Sequence, residues 1–329
     1  MNRQNTPTAV VVTRKRRKSF LLPIWGKAKF VSSLRIGATS LVLTLLWAQQ
    51  AHTQMVSREA PATGPKALLE VVNGTDAGQT NESGNDDERL DPDRPHFPEA
   101  TTTVGKDRVV LESGYTFAKK DSSFLSHSYP EALLRVGIFA DWFEFRIGQN
   151  FLHEEEKIGG MTNVLDGAQD LYLGTKLALT KQRDLLPAIA VIPQVMVPTG
   201  GSDFTANRVL PGLNVDMSWE IVKNFFSVEV LIANNEVAGK YAPEIHTSHF
   251  ETATGITAVF QVTKKLEAFA EWDAIYQIDG SERGPRHYAV GGLVYFISNN
   301  LEVDARAGVG LNDRSNSLIA GVGFAVRYE

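Results

Sequence analysis

From about residue 105 to the end of the chain, apolar and polar positions alternate with a period of two. In LEVDARAGVG, residues 301–310, Leu301, Val303, Ala305, Ala307 and Val309 share one face; Glu302, Asp304, Arg306, Gly308 and Gly310 share the other. In FEFRIGQNF, residues 143–151, Phe143, Phe145, Ile147 and Phe151 oppose Glu144, Arg146, Gly148 and Asn150. Ala132, Leu134, Val136 and Ile138 oppose Glu131, Leu133, Arg135 and Gly137 in the same way. Successive side chains of a strand point to opposite faces, so the pattern predicts strands with one apolar and one polar face. Twelve such strands are expected, at 107–119, 127–138, 142–152, 168–180, 186–197, 208–220, 224–233, 248–261, 266–278, 286–296, 301–311 and 317–328. Each has about ten residues or more, long for a globular strand and right for one crossing a bilayer at a tilt.

Alternation alone also fits a soluble sandwich. The connections separate the two. They are short at 139–141, 181–184, 221–223, 262–265 and 297–300, and longer or more polar at 120–126, 153–167, 198–207, 234–246, 279–285 and 312–316. Short periplasmic turns alternating with longer outer loops are the rhythm of an outer-membrane barrel, and they place both ends of the barrel on the periplasmic side. Aromatic residues gather on the apolar face near the short turns (Trp142, Phe143, Trp219, Phe226, Phe260, Phe296, Tyr328), with Phe117, Phe151, Phe250 and Tyr276 as candidates at the other end. Such rings suit the headgroup boundary. The expected fold is all-β: an antiparallel transmembrane β-barrel of about 12 strands in the outer membrane, with a disordered N-terminal region.

The N-terminal third has a different character. A basic block at residues 14–18 precedes a short apolar run, IGATSLVLTLLWA, at 36–48. That order predicts an export signal over 1–54. Residues 55–104 are acidic and poor in large apolar side chains, which predicts a disordered linker. The barrel is assigned to 105–329. The chain has 329 residues, a net charge of -5 and no cysteine. Disulfides, thiolate metal sites and cysteine nucleophiles are excluded. The mild negative charge argues against nucleic acid as a partner.

The inward face is where function would lie. Alternation assigns to it Glu131, Arg135, Glu144, Arg146, Asp170, Lys176, Asp216, Glu229, Glu251, Glu271, Asp273, Glu302, Asp304 and Arg306. Acids outnumber bases there. One reading is a water-filled path favouring cations or neutral polar solutes. The other is a set of ion pairs that brace and close a narrow lumen, since buried charges need partners. Glu144 with Arg146, and Asp304 with Arg306, lie two residues apart on one face and invite internal pairing.

Enzymatic and metal chemistry find less support. A lipid-modifying site needs a serine in reach of an oriented histidine. His127 with Ser126 or Ser128, and His246 and His249 with Ser248, lie at outer strand ends, but neighbours in a strand face opposite ways. Glu244, His246 and His249 lack the spacing of a metal site. No cofactor is expected.

Several segments carry a resemblance to a known family: DPDRPHFPEATTTVGKDRVVLESGYTF (91–117), PEALLRVGIFADWFEFRIGQN (130–150), VIPQVMVPTG (191–200), ISNNLEVDARAGVGLN (297–312) and GVGFAVRY (321–328). In these the chain resembles the MetA-pathway of phenol degradation family, transporter-like outer-membrane β-barrel proteins. The resemblance implies an outer-membrane barrel that passes small organic compounds. The resulting expectation is a channel for small, aromatic or apolar molecules. The alternatives are a structural barrel with a salt-bridged lumen and partner-binding outer loops, and a lipid-modifying enzyme. Expected partners are outer-membrane lipid, a small solute and the barrel-assembly machinery. The last would read the final strand, where Leu318, Ala320, Val322, Phe324, Val326 and Tyr328 share one face.

Overall fold

The computed structural model describes residues 89–239, 247–278 and 284–328. The expected export signal, and residues 55–88 of the expected linker, lie outside them. Among the described residues thirteen strands follow one another: β1 (Val109–Lys119), β2 (Phe124–Gly137), β3 (Phe143–Ile158), β4 (Met161–Ala168), β5 (Leu171–Thr180), β6 (Ala188–Val197), β7 (Leu210–Val222), β8 (Phe226–Gly239), β9 (Thr247–Thr263), β10 (Leu266–Gln277), β11 (Arg286–Ser298), β12 (Leu301–Gly310) and β13 (Leu318–Tyr328). All neighbours pair antiparallel. The first strand pairs with the last, from Val109 opposite Tyr328 to Lys119 opposite Leu318, so the sheet closes on itself.

Twelve strands form the ring, because β4 and β5 occupy one place in it. β3 pairs with β5 over Phe143–Gly148 and with β4 over Phe151–Ile158. The expected outer loop at 153–167 is therefore corrected: it is a hairpin that prolongs the wall outward. Its two-residue turn, Gly159-Gly160, has φ of 59° and 86°. Two successive positive φ values are what a tight hairpin asks for, and glycine supplies them freely. The charges of Glu154, Glu155 and Glu156 hide the strand, because a ladder standing beyond the bilayer has no lipid face to demand alternation.

Burial runs inside out. Arg135, Lys176, Glu144, Asp216 and Glu302 each have 0% of their surface exposed, whereas Leu293 (49%) and Val322 (54%) lie open. An apolar exterior around a charged interior suits a hydrocarbon surround and no aqueous one. Trp142, Phe151, Phe250, Phe260, Tyr276 and Tyr328 are exposed, as a girdle requires. Phe296 is a correction: it is 3% exposed and faces inward. In β11 both faces carry apolar residues, so alternation could not choose between Tyr295 and Phe296.

The segment before β1 is folded too. Residues 89–108 enter at the periplasmic end, where Leu90 N donates to Asn299 O in the β11–β12 turn (2.8 Å). They reach into the barrel and return to the same end, where Lys106 N donates to Asp141 Oδ1 in the β2–β3 turn (2.9 Å). Residues 89–104 are thus not linker but plug, and the ordered part begins earlier than 105. Composition misleads here because the segment has little apolar surface of its own. Its polar groups are satisfied by the charged wall around it.

Candidate functional site

The plug is braced against one wall by a compact charge network. Arg135 on β2 donates from Nε and Nη2 to both oxygens of Glu144 on β3 (2.8 and 3.0 Å). Its Nη1 reaches Glu112 on β1 (2.8 Å). Asp93, from the plug, sits among Arg135 (3.3 Å), Arg146 on β3 (2.8 Å) and Lys176 on β5, which bonds it through Nζ. Three cations thus face four carboxylates, Asp93, Glu112, Glu144 and Glu99, the last bound to Arg146. Burial by itself would raise the pKa of Asp93; the charges of Arg135, Lys176 and Arg146 outweigh it and hold the carboxyl well below its ordinary value. The same groups bind plug backbone. Glu112 accepts from the N–H groups of Asp93 (3.0 Å) and Arg94 (3.1 Å), Glu144 from Val104 N (2.9 Å), and Lys176 Nζ donates to Ala100 O (2.8 Å). Buried polar groups of a segment without secondary structure are satisfied in this way.

Arg94 crosses the lumen beside this network. It donates to Glu131 on β2 (3.0 Å) and Asp304 on β12 (3.2 Å). A side chain at Gly114 or Gly323 would collide with its guanidinium, so two glycines clear the space it occupies. Beyond it, His96 Nδ1 meets Glu229 on β8 (2.9 Å). Phe97 N donates to Glu271 on β10 (2.8 Å), and Glu99 N to Asp216 on β7 (2.9 Å). Arg306 donates to Pro95 O (2.8 Å) and Thr116 Oγ1 (3.1 Å).

Most of the expected inward residues therefore line one lumen, yet their partners differ from those the sequence suggested. Asp304 pairs with Arg94, not with Arg306. Arg146 lies 3.8 Å from Glu144 but bonds Asp93 more closely, and also bonds Glu99. Asp170 is buried apart from the braced wall: it accepts from Gly200 N (3.0 Å) and Ala206 N (3.1 Å), fastens the β6–β7 loop and borders a space it shares with Gln194 and Asn235. Among the described residues, Glu302 has no hydrogen-bond partner on either carboxylate oxygen. Glu251 meets His249 (3.2 Å) and Arg286 (2.6 Å) near the outer end. His246 and Glu244 lie outside the described residues. The residues missed were Asp93, Arg94, His96, Glu99 and Glu112. Glu112 was available from alternation; the others sit in DPDRPHFPE, whose three prolines and charges read as linker.

Two cavities flank the plug. The outer one, of about 530 Å³, has charged residues on one side and Leu231, Ala233, Ala253, Ile275 and Phe97 on the other. The periplasmic one, of about 300 Å³, is lined largely by polar groups, including Ser218, Ser227, Glu229, Gln261 and Glu267. Arg94 and His96 border both.

Of the outer-end histidines singled out in the sequence, His127 and His249 take no serine partner in the described contacts. His127 Nδ1 meets Tyr115 Oη (2.7 Å), and its ring centroid lies 5.8 Å from that of His153. Ser248 bonds Glu236 instead.

No curated protein matches the sequence. Among solved structures, an outer membrane channel from Pseudomonas putida F1 is similar at a TM-score of 0.55 and 12% identity, over 75% of this chain and 100% of that one. The NanC porin is similar at a TM-score of 0.42 and 9% identity, over 67% and 99%. The KdgM porin is similar at 0.40 and 10%, over 66% and 99%. The closed antiparallel ring, its apolar exterior and its charged interior make this an outer-membrane β-barrel. The family described as "Putative MetA-pathway of phenol degradation" matches over residues 92–328, from the plug through the last strand, and the chain belongs to that family.

Proposed function

We propose that the protein is an outer-membrane channel for small organic molecules, narrowed by the plug it carries. The observation that supports this most is the pair of cavities, of about 530 and 300 Å³, that meet at Arg94 and His96 from opposite sides. A bracing core would have no use for such space. The P. putida protein of like fold is an outer membrane channel, which agrees with the reading. The outer cavity favours amphipathic solutes, small aromatic or apolar bodies with a polar end. Leu231, Ala233 and Ala253 offer an apolar surface, and Asn214 and Asn235 offer hydrogen bonds beside it. The export signal at 1–54 and reading of β13 by the assembly machinery belong to the same proposal. The charge network favours the rival, a barrel held shut by its ion pairs. Flux decides between them: liposomes carrying the refolded full chain should admit small phenols and sugars faster than protein-free liposomes. Equal rates would leave the closed barrel as the better reading.

A further inference from the structure

The plug is held differently on its two sides. Toward β1, β2, β3 and β5, Asp93 is locked among Arg135, Arg146 and Lys176. Arg94 is likewise fixed by two carboxylates, in a space cleared by two glycines. Toward β8–β10 the hold is lighter. It consists of the His96–Glu229 contact (2.9 Å), one backbone hydrogen bond from Phe97 to Glu271 (2.8 Å), packing of Phe97 on Leu231, Ala233, Ala253 and Ile275, and, at the half-exposed periplasmic mouth, Arg89 bound to Glu267 on β10 and to Gln261 on β9 (3.0 Å). Gly255 leaves room for that ring, since a Cβ there would stand 2.9 Å from it. His96 borders both cavities, and its buried Nε2 has no hydrogen-bond partner among the described residues.

We propose that the channel opens between His96–Phe97 and the β8–β10 wall, with the His96–Glu229 pair as the latch and Asp93 as the fixed anchor. The proposal rests on the channel reading above and adds to it the route and the residue pair that closes it.

The latch can take up a proton. His96 faces Glu229 on β8, Glu267 and Glu271 on β10, the edge of Phe269 (4.5 Å), and Arg94 on its own segment. Burial opposes its charged form. Glu229 first, then Glu271 and Glu267, favour that form and prevail, so the pKa of the seated histidine lies above its ordinary 6.5. Once swung into water it would return toward the ordinary value. The seated state therefore binds the proton more tightly. It is favoured at low pH and loses that advantage as pH rises through the raised value.

Planar-bilayer recording on the refolded full chain tests this. Wild type should open roughly tenfold more often at about pH 8.5 than at about pH 5.5, the size expected when one charge-assisted hydrogen bond weakens. Glu229→Gln and His96→Asn should open as often at low pH as wild type does at high pH, and should lose the response. The chain has no cysteine, so single cysteines report the route. A thiol reagent should block current through Val259→Cys, or through Ala253→Cys if the former fails to fold, both on the β9 wall. It should leave current through Val110→Cys, on β1 against the braced side, untouched. Current that ignores pH and both latch variants, or that is blocked at Val110→Cys alone, would overturn the latch while leaving the channel standing. Absence of current from every protein would overturn both.

Discussion

Asp93→Asn removes one charge from the brace and keeps its shape. In the wild type three cations face four carboxylates around this point, Glu99 included; in the variant three face three, and Lys176 is the one left without an ion-pair partner. Lys176 is fully buried and loses its carboxylate, while Arg146 keeps Glu99. Breaking a buried pair by removing one partner costs about 3–5 kcal/mol. Glu99 and the remaining amide oxygen soften the loss, so the lower end, about 3 kcal/mol, is the better figure. Because the wall is held by the barrel ladder, the cost should fall on the seating of the plug. At about 1.4 kcal/mol per tenfold, unseating becomes roughly a hundredfold more frequent. Ala100→Cys, at a buried plug position, reports it through its rate of labelling by an impermeant maleimide. Labelling should quicken by about two orders of magnitude in Asp93→Asn, while heat-modifiable electrophoretic mobility shows the barrel intact. Adding Lys176→Met, which removes the buried cation left without its carboxylate, should recover much of the protection. Equal labelling of wild type and Asp93→Asn would refute the brace. The pH dependence has a definite sign. A carboxyl with a lowered pKa contributes stability above its unfolded value, about 3.9, and loses it only as pH falls through the lowered one. The Asp93 anchor should therefore hold unchanged over the pH range in which His96 responds.

Two other substitutions probe the inside-out arrangement. Glu302→Gln replaces a buried carboxyl that makes no hydrogen bond among the described residues with an amide of the same shape, so stability toward urea should hold within about 1 kcal/mol; a larger loss would show a pairing absent from this structure. Leu293→Lys places a charge on the exterior near the middle of β11. It should cost about 2–4 kcal/mol in a bilayer, and a neutral result would contradict lipid exposure there.

The barrel was legible because lipid outside and charge inside impose alternation on each spanning strand. Residues 301–310 and 318–328 show it plainly, and their observed limits depart from expectation by a residue or so. Legibility failed where that constraint lapses. The β3–β4 hairpin stands beyond the bilayer, and β11 has apolar residues on both faces, so Phe296 went to the wrong side. The plug was hidden for a different reason. Asp93, Arg94 and His96 have no strand or helix periodicity, and only the carboxylates and guanidiniums of distant strands make their burial tolerable. The lumen residues could be named from alternation, but their pairing could not. The closest partners of Arg146 and Asp304 lie on the plug, a segment outside the strands whose place strand alternation does not give.

The central claim is a channel narrowed by a braced plug, and single-channel recording of wild type beside Asp93→Asn tests it most directly. The account predicts brief, infrequent openings from the wild type, and more frequent or larger ones from the variant, in bilayers where both are folded. Silence from both, or identical currents, would contradict it.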